Sequence, residues 1–181
     1  MRLHKHRGLV VHAFGFGEAD LVIWLYTDQG NMVRFVAKGA RKTKSRSSAV
    51  VELFVLGEYV LYTGKGLPIL RQADIIQSYM ALRNDLRKCT AALSVLELCR
   101  LLVAEEAFEQ TGYELTTKYL MFLNNNSWSP LTFDGYRLQF IAALGYGFNF
   151  SVCSQCSKPL DDGFLSFDAV GLNCRQCNQH V

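Results

Sequence analysis

The sequence predicts a multi-domain β + α chain: a small five-stranded barrel over residues 1–78, an all-α segment over 79–150 and a four-cysteine element over 151–181. Three observations carry this prediction. Up to residue 78, short runs rich in β-branched and aromatic residues are punctuated by glycine, the pattern of strands and turns. From Ser78 the apolar period changes from two to 3.6, that of amphipathic helices. Near the end, Cys153, Cys156, Cys174 and Cys177 form C-x2-C, then seventeen residues, then C-x2-C.

The strands follow in order. Leu9 to Phe14 is a short apolar run after Gly8, and Gly15-Phe16-Gly17 is expected to break it. Leu21 to Thr27 (LVIWLYT) is apolar on both faces, as a central strand is. Asp28-Gln29-Gly30-Asn31 reads as the turn into a third strand, Met32 to Lys38. There Val33, Phe35 and Ala37 share one face, and Arg34, Val36 and Lys38 the other. Val50 to Thr63 supplies a fourth strand bent at Gly57, and Leu67 to Ile76 a fifth after Gly64-Lys65-Gly66. Five short strands in about 70 residues match the oligonucleotide/oligosaccharide-binding (OB) barrel. A small SH3-like barrel fits the same periodicity.

Leu86, Cys89, Leu93, Leu96, Arg100 and Val103 describe a helical stripe, with a first helix from Thr90 to about Phe108. Thr111 or Gly112 is expected to break it. A second helix runs to about Leu123 and stops at Asn124-Asn125-Asn126. Ser129-Pro130 reads as the cap and first turn of a third, Leu131 to Leu144, ended by Gly145-Tyr146-Gly147. The stripes read as helix–helix core, and Cys89 and Cys99 as small buried hydrophobes among them. Glu105-Glu106 reads as a wet helix face.

The paired C-x2-C spacing points to one structural Zn2+ held by four thiolates. A closed four-sulfur shell leaves no position for water or substrate, so it marks a folded element and no reaction. Redox C-x-x-C motifs come singly, disulfides need an oxidising compartment, and iron–sulfur ligation favours other spacings. His180 lies near the last cysteine but outside the set. His4, His6 and His12 have no acid or thiol beside them in sequence and read as surface or packing residues.

Half of the 181 residues are hydrophobic, which calls for an ordered core. No stretch of eighteen apolar residues is free of charge, so no membrane partner is expected. Residues 1–80 hold 11 Lys and Arg against 6 Asp and Glu, whereas the rest of the chain is balanced or slightly acidic. Segregated positive charge points to a polyanion partner for the N-terminal part. The densest feature is the segment from Lys38 to Arg46, where Lys38, Arg41, Lys42, Lys44 and Arg46 fall within nine residues with no acid. Small residues around them let the backbone approach phosphates. With Arg34 on the preceding strand, these six are the candidate DNA-binding residues.

Phe14, Phe16, Trp24, Tyr26, Phe35, Tyr59 and Tyr62 are candidate stacking platforms, Phe16 and Trp24 foremost, although a small barrel must fill its core with most of them. No P-loop, H-E-x-x-H or G-x-S-x-G occurs. A binder is expected, with no catalytic residues.

Gly8-Leu9-Val10-Val11, Gly17-Glu18-Ala19-Asp20, Ala37-Lys38-Gly39-Ala40-Arg41 and Leu70-Arg71-Gln72-Ala73-Asp74, in this order and followed by the cysteine quartet, resemble the bacterial RecO family. The resemblance covers nearly the whole chain. It implies an OB domain, a helical domain and a zinc element. It implies a cytoplasmic, nucleoid-associated mediator of DNA repair and recombination that binds single- and double-stranded DNA without sequence specificity. It further implies annealing of complementary strands, and action with RecR and the C-terminal tail of single-strand binding protein (SSB) to help RecA load. It matches the basic segment in character, and places no SSB-binding residue. It also implies further helices after the zinc element, whereas this sequence ends four residues past Cys177. A short or truncated form is therefore expected. Two other readings use the same residues: an RNA- or ribosome-associated OB/zinc protein, since phosphate contacts do not distinguish sugars, and an adaptor whose helical stripe docks a partner.

Overall fold

The computed structural model describes residues 2–43, 45, 47–147, 149–166 and 171–178. It forms two compact units, Met1–Leu144 and Gly145–Val181.

In the first unit, β1 (Arg2–Phe16), β2 (Asp20–Thr27), β3 (Met32–Ala37), β4 (Val55–Thr63) and β5 (Ile69–Ser78) close into a barrel ordered β1-β2-β3-β5-β4. All neighbours are antiparallel except β3 and β5, which meet in parallel at Val36 and Ile69. This is the OB arrangement, and the SH3-like alternative falls away. β1 does double duty. Its first half pairs with β4, from Arg2 opposite Thr63 to Leu9 opposite Leu56, and its second half with β2, from Gly8 opposite Thr27 to Phe16 opposite Asp20. Gly8 sits at the hand-over, where a Cβ would come within 2.6 Å of the Tyr26 carbonyl oxygen. Glycine is what lets a strand turn this corner.

The strands are apolar on both faces because each face has a core. Val10, Ile23, Leu25, Phe35, Ala37, Tyr59 and Leu61 fill the barrel. Leu9, Val11, Tyr26, Met32 and Leu56 point outward beneath the helices, against Ala92, Val95, Leu96, Cys99, Tyr113 and Phe140. Barrel and helices thus share one continuous interior.

The helices are α1 (Leu86–Leu102), α2 (Gln110–Asn125) and α3 (Pro130–Ile141). Ser129 caps α3 as expected, its side chain accepting from the Thr132 N–H. Several boundaries differ from the sequence expectation. β1 runs through Gly15 and Phe16, and the chain turns at Gly17, whose φ is +62°. Ala49–Val51 is a 3-10 turn rather than strand, because Val51 plugs the barrel end and the buried Tyr59 hydroxyl donates to the Val50 carbonyl at 2.8 Å. α1 starts at Leu86, since the Asp85 carboxylate accepts from the Arg87 and Lys88 N–H groups. It stops at Leu102, since Ala104 and Glu105 are taken up by the β2–β3 turn. There the Met32 N–H donates to Ala104 and the Asn31 side chain to Glu105. Glu105 therefore lies between helices. Gly112 lies inside α2, not at a break: a Cβ there would meet the Tyr26 hydroxyl at 2.7 Å.

The helical pack is aromatic. Tyr119 stacks on Tyr136 with centroids 4.7 Å apart, and Tyr136 on Phe140 at 5.6 Å. At its centre the Thr116 hydroxyl donates to the Gly112 carbonyl at 2.8 Å and lies 3.0 Å from the Tyr136 hydroxyl. Burial pushes the neighbouring Cys99 thiol up to about 12, so it is an inert apolar group.

In the second unit, β6 (Phe164–Ser166) pairs with β7 (Gly171–Asn173), and the four-residue helix α4 (Arg175–Asn178) follows. No helix among the described residues is long and apolar enough to cross a membrane.

Candidate nucleic-acid interface and metal centre

The segment Ala37-Lys38-Gly39-Ala40-Arg41 shows how a sequence can aim cations. Ala37 and Ala40 are buried in the barrel core. Gly39, with φ +66°, makes the reversal between them, and Lys38 and Arg41 are thereby turned to solvent. The turn is pinned from below. The Gly39 N–H donates to Asp20 Oδ1 at 2.7 Å, and the Arg41 N–H to the Ala19 carbonyl at 2.9 Å. The guanidinium of Arg41 folds back to the β1–β2 turn, its Nη1 donating to the Gly17 carbonyl at 3.3 Å. That Nη1 also lies 3.3 Å from where a Cβ on Gly15 would stand. Lys42 is exposed beside it. Phe16 is 57 % exposed on the same turn.

The structure thus brings Lys38, Arg41, Lys42 and Phe16 to one end of the barrel, where phosphate donors and an aromatic face coincide. Lys44 and Arg46 lie outside the described residues. Arg34 is elsewhere: it ion-pairs with Glu105, and its guanidinium sits 5.3 Å from the centroid of Trp24. Trp24 is covered on that side by Arg34 and also approached by Arg100, at 5.8 Å, and by the edge-on ring of His12, at 5.9 Å. Tyr26, Phe35 and Tyr59 are core. Phe14 is exposed, and Tyr62 is half-buried beneath Arg71. Sequence reasoning passed over Asp20. Its role shows only in the fold, where its carboxylate accepts from the Gly39 N–H, a residue nineteen positions away.

The four cysteine sulfurs lie within 4.8 Å of one another, and those of Cys156 and Cys174 are 3.9 Å apart. Four thiolates at 2.3 Å from a tetrahedral ion would be about 3.8 Å apart, so the donor set fits a metal ion. Local backbone builds it. The Cys153 N–H donates to the Lys158 carbonyl at 2.8 Å, closing the first knuckle, and Ser157, with φ +58°, completes the reversal. Cys153 is also bridged to Leu172, just before the second pair. Backbone N–H groups of Cys174 and Cys156 point at the Cys153 sulfur and draw its thiol down to about 6. The Cys177 N–H likewise lowers Cys174. Cys177 is pushed up to about 12, chiefly by its hydrogen bond with the Cys174 sulfur. Crowded thiolates oppose one another until a cation neutralises them.

Residues 1–79 match the model of the Recombination protein O N-terminal domain, and residues 83–181 that of its C-terminal domain. The DNA repair protein RecO of Clostridium novyi is 30 % identical over 181 residues, covering 99 % of this chain and 71 % of that protein. RecO of Clostridium kluyveri is 28 % identical, covering 99 % and 70 %, and RecO of Listeria monocytogenes serotype 4a is 27 % identical, covering 97 % and 69 %. With both domain models matched end to end over a closed barrel and a cysteine quartet, the chain belongs to the RecO family.

Proposed function

We propose that the chain is a DNA repair and recombination mediator that grips DNA backbone, single- or double-stranded, through the basic loop between β3 and β4. The observation that carries this reading is the docking of that loop on the β1–β2 turn, which presents Lys38, Arg41 and Lys42 together beside Phe16. Lys44 and Arg46 extend the same segment. Arg34 is ion-paired to Glu105, which offsets its charge. None of these contacts reads a base, so binding is independent of sequence. Two strands whose phosphates are neutralised on one surface can pair, and annealing follows. In this reading RecR and the SSB tail are the protein partners, RecA loads as a consequence, and residues 1–78 are the DNA-binding part.

The same reading assigns Zn2+ to Cys153, Cys156, Cys174 and Cys177. The ion supplies cross-linking and no catalysis. It is a staple for a segment too small to hold a core of its own.

A gel-shift salt series on single-stranded DNA tests the loop. Arg41→Ala/Lys42→Ala/Lys44→Ala removes three phosphate partners and should flatten the log–log salt slope by about 2. An unchanged slope would remove the loop from the site. Competition with an RNA of the same sequence separates a DNA mediator from an RNA-associated protein.

A further inference from the structure

We propose that the outer wall of the barrel carries a second nucleic-acid site, a hollow that takes one unstacked base of a single strand with its flanking phosphates. The proposal rests on the DNA-binding reading above and deepens it. The hollow is about 550 Å³ and is lined by Arg2, Leu3, Val60, Tyr62, Arg71 and Gln72. That volume is within the range of small-ligand sites.

Three neighbouring strands build it. On the β1–β4 seam Leu3 lies opposite Tyr62 and Arg2 opposite Thr63; on the β4–β5 seam Val60 lies opposite Gln72. Leu61 is buried inside the barrel, so Val60 and Tyr62 on either side of it face outward. Leu3 is 65 % exposed, although it has apolar neighbours on the adjoining strand. The Arg71 guanidinium lies 4.9 Å from the centroid of the Tyr62 ring.

The chemistry of these residues is complementary to a nucleotide. Leu3, Val60 and the Tyr62 ring with the Arg71 guanidinium over it make an apolar and planar surface for a base, since bases stack on guanidinium planes as on rings. Arg2 and Arg71 supply guanidinium groups for phosphate, and Gln72 offers an amide for a base edge. Further along the wall Glu58 pairs with Lys5 at 2.7 Å, and Asp74 accepts one N–H of the Gln72 amide at 3.1 Å, leaving that amide its oxygen and second N–H. Lys65, on the turn between β4 and β5, adds positive charge nearby in sequence.

The hollow also continues the basic loop. Ile69 bridges Val36 on one side and lies opposite Tyr62 on the other. Lys38, in the turn just after β3, and Arg71, on β5, each follow that single parallel bridge by two residues. A backbone leaving the loop at Lys38 can therefore pass to Arg71 and Arg2. The loop holds phosphates of either form of DNA, whereas the hollow admits only a base free of its stack. The pair of sites would favour single strands over duplex.

The test uses the full chain with two probes: a fluorescein-labelled oligothymidylate carrying one 2-aminopurine, and a hairpin duplex of the same length. Tyr62→Leu should bind the single strand about tenfold more weakly and lose the 2-aminopurine fluorescence change. Tyr62→Phe should keep both. Arg71→Ala should flatten the single-strand salt slope by about 0.7. Duplex affinity should stay at the wild-type value in all three, which also reports an intact fold. Wild-type single-strand binding by Tyr62→Leu and Arg71→Ala, with Arg41→Ala/Lys42→Ala weakened, would overturn the hollow and leave the loop standing. Equal losses on both probes would overturn base recognition. Failure of the wild-type chain to bind either probe would overturn both readings.

Discussion

Arg41 reaches Gly17 across the barrel end, Nη1 to carbonyl oxygen at 3.3 Å, so the basic loop is tethered to the β1–β2 turn by one of its own cations. Charge and anchor are therefore separable at this residue. Arg41→Lys keeps the charge but loses the fork that can hold Gly17 and phosphate together. It should weaken DNA binding about threefold with an unchanged salt slope, whereas Arg41→Ala should flatten the single-strand slope by about 0.7. Filter binding across a salt series measures both.

Gly30 ties the β2–β3 turn to the segment between α1 and α2. Its φ is +84°, and a Cβ would lie 2.3 Å from the Glu109 carbonyl carbon. Gly30→Ala combines left-handed strain with a clash against backbone and should cost about 3 kcal/mol. Urea unfolding followed by circular dichroism gives the value, and a loss under about 1 kcal/mol would mean that the turn relaxes freely.

Thr116 joins α2 to α3 from within the core. Thr116→Val keeps the shape but removes the partner of the buried Tyr136 hydroxyl and of the Cys99 thiol, 3.5 Å away. The expected cost is about 2 kcal/mol, mostly for the Tyr136 hydroxyl, which is left with the weaker Cys99 thiol as partner. Thr116→Val/Tyr136→Phe should recover part of it in the same denaturation assay, since both polar partners are then gone.

Removing the metal should loosen the cysteine unit alone. Chelation or Cys174→Ser is expected to abolish zinc content and make residues 145–178 sensitive to protease, with the loop's DNA affinity within about twofold of wild type. Loss of DNA binding by a barrel that still melts normally would move the zinc unit into the functional site.

His12 provides a pH probe of the barrel–helix seam. Burial, and then the positive charge of Arg100, lower its pKa below the ordinary 6.5, with Glu97 opposing them. The unfolded chain takes up the proton first, so stability is full above about 6.5 and falls as pH drops from there through the folded value. Proton NMR of the imidazole should show the depressed midpoint, and Arg100→Gln should raise it.

What the sequence disclosed depended on whether the signal was local. The basic loop was legible because its cations are neighbours in the chain, and the cysteine pairs because a knuckle is four residues long. The second and third strands were legible from runs of apolar residues, which the two cores explain. The first half of β1 was not, because Arg2 to Arg7 face solvent along much of their length and form no apolar run. Val50 to Phe54 misled by composition: β-branched residues there plug a barrel end instead of extending a strand. Gly112 looked like a breaker because its reason, the Tyr26 hydroxyl, lies far away in sequence. The wall hollow was invisible for the same cause, since residues 2–3, 60–62 and 71–72 meet only in three dimensions.

The sharing of β1 between β2 and β4 has a consequence for how ligand and folding are coupled. One strand seals both seams, so the barrel cannot be completed hairpin by hairpin; contacts between the extreme start of the chain and Thr63 must form before it closes. Such long-range closure is slow and all-or-none. The wall and loop surfaces have their geometry only in the closed state, so a polyanion that binds them draws the population toward closure by mass action. In a chain built this way, any polyanion that binds these surfaces also acts as a folding ligand.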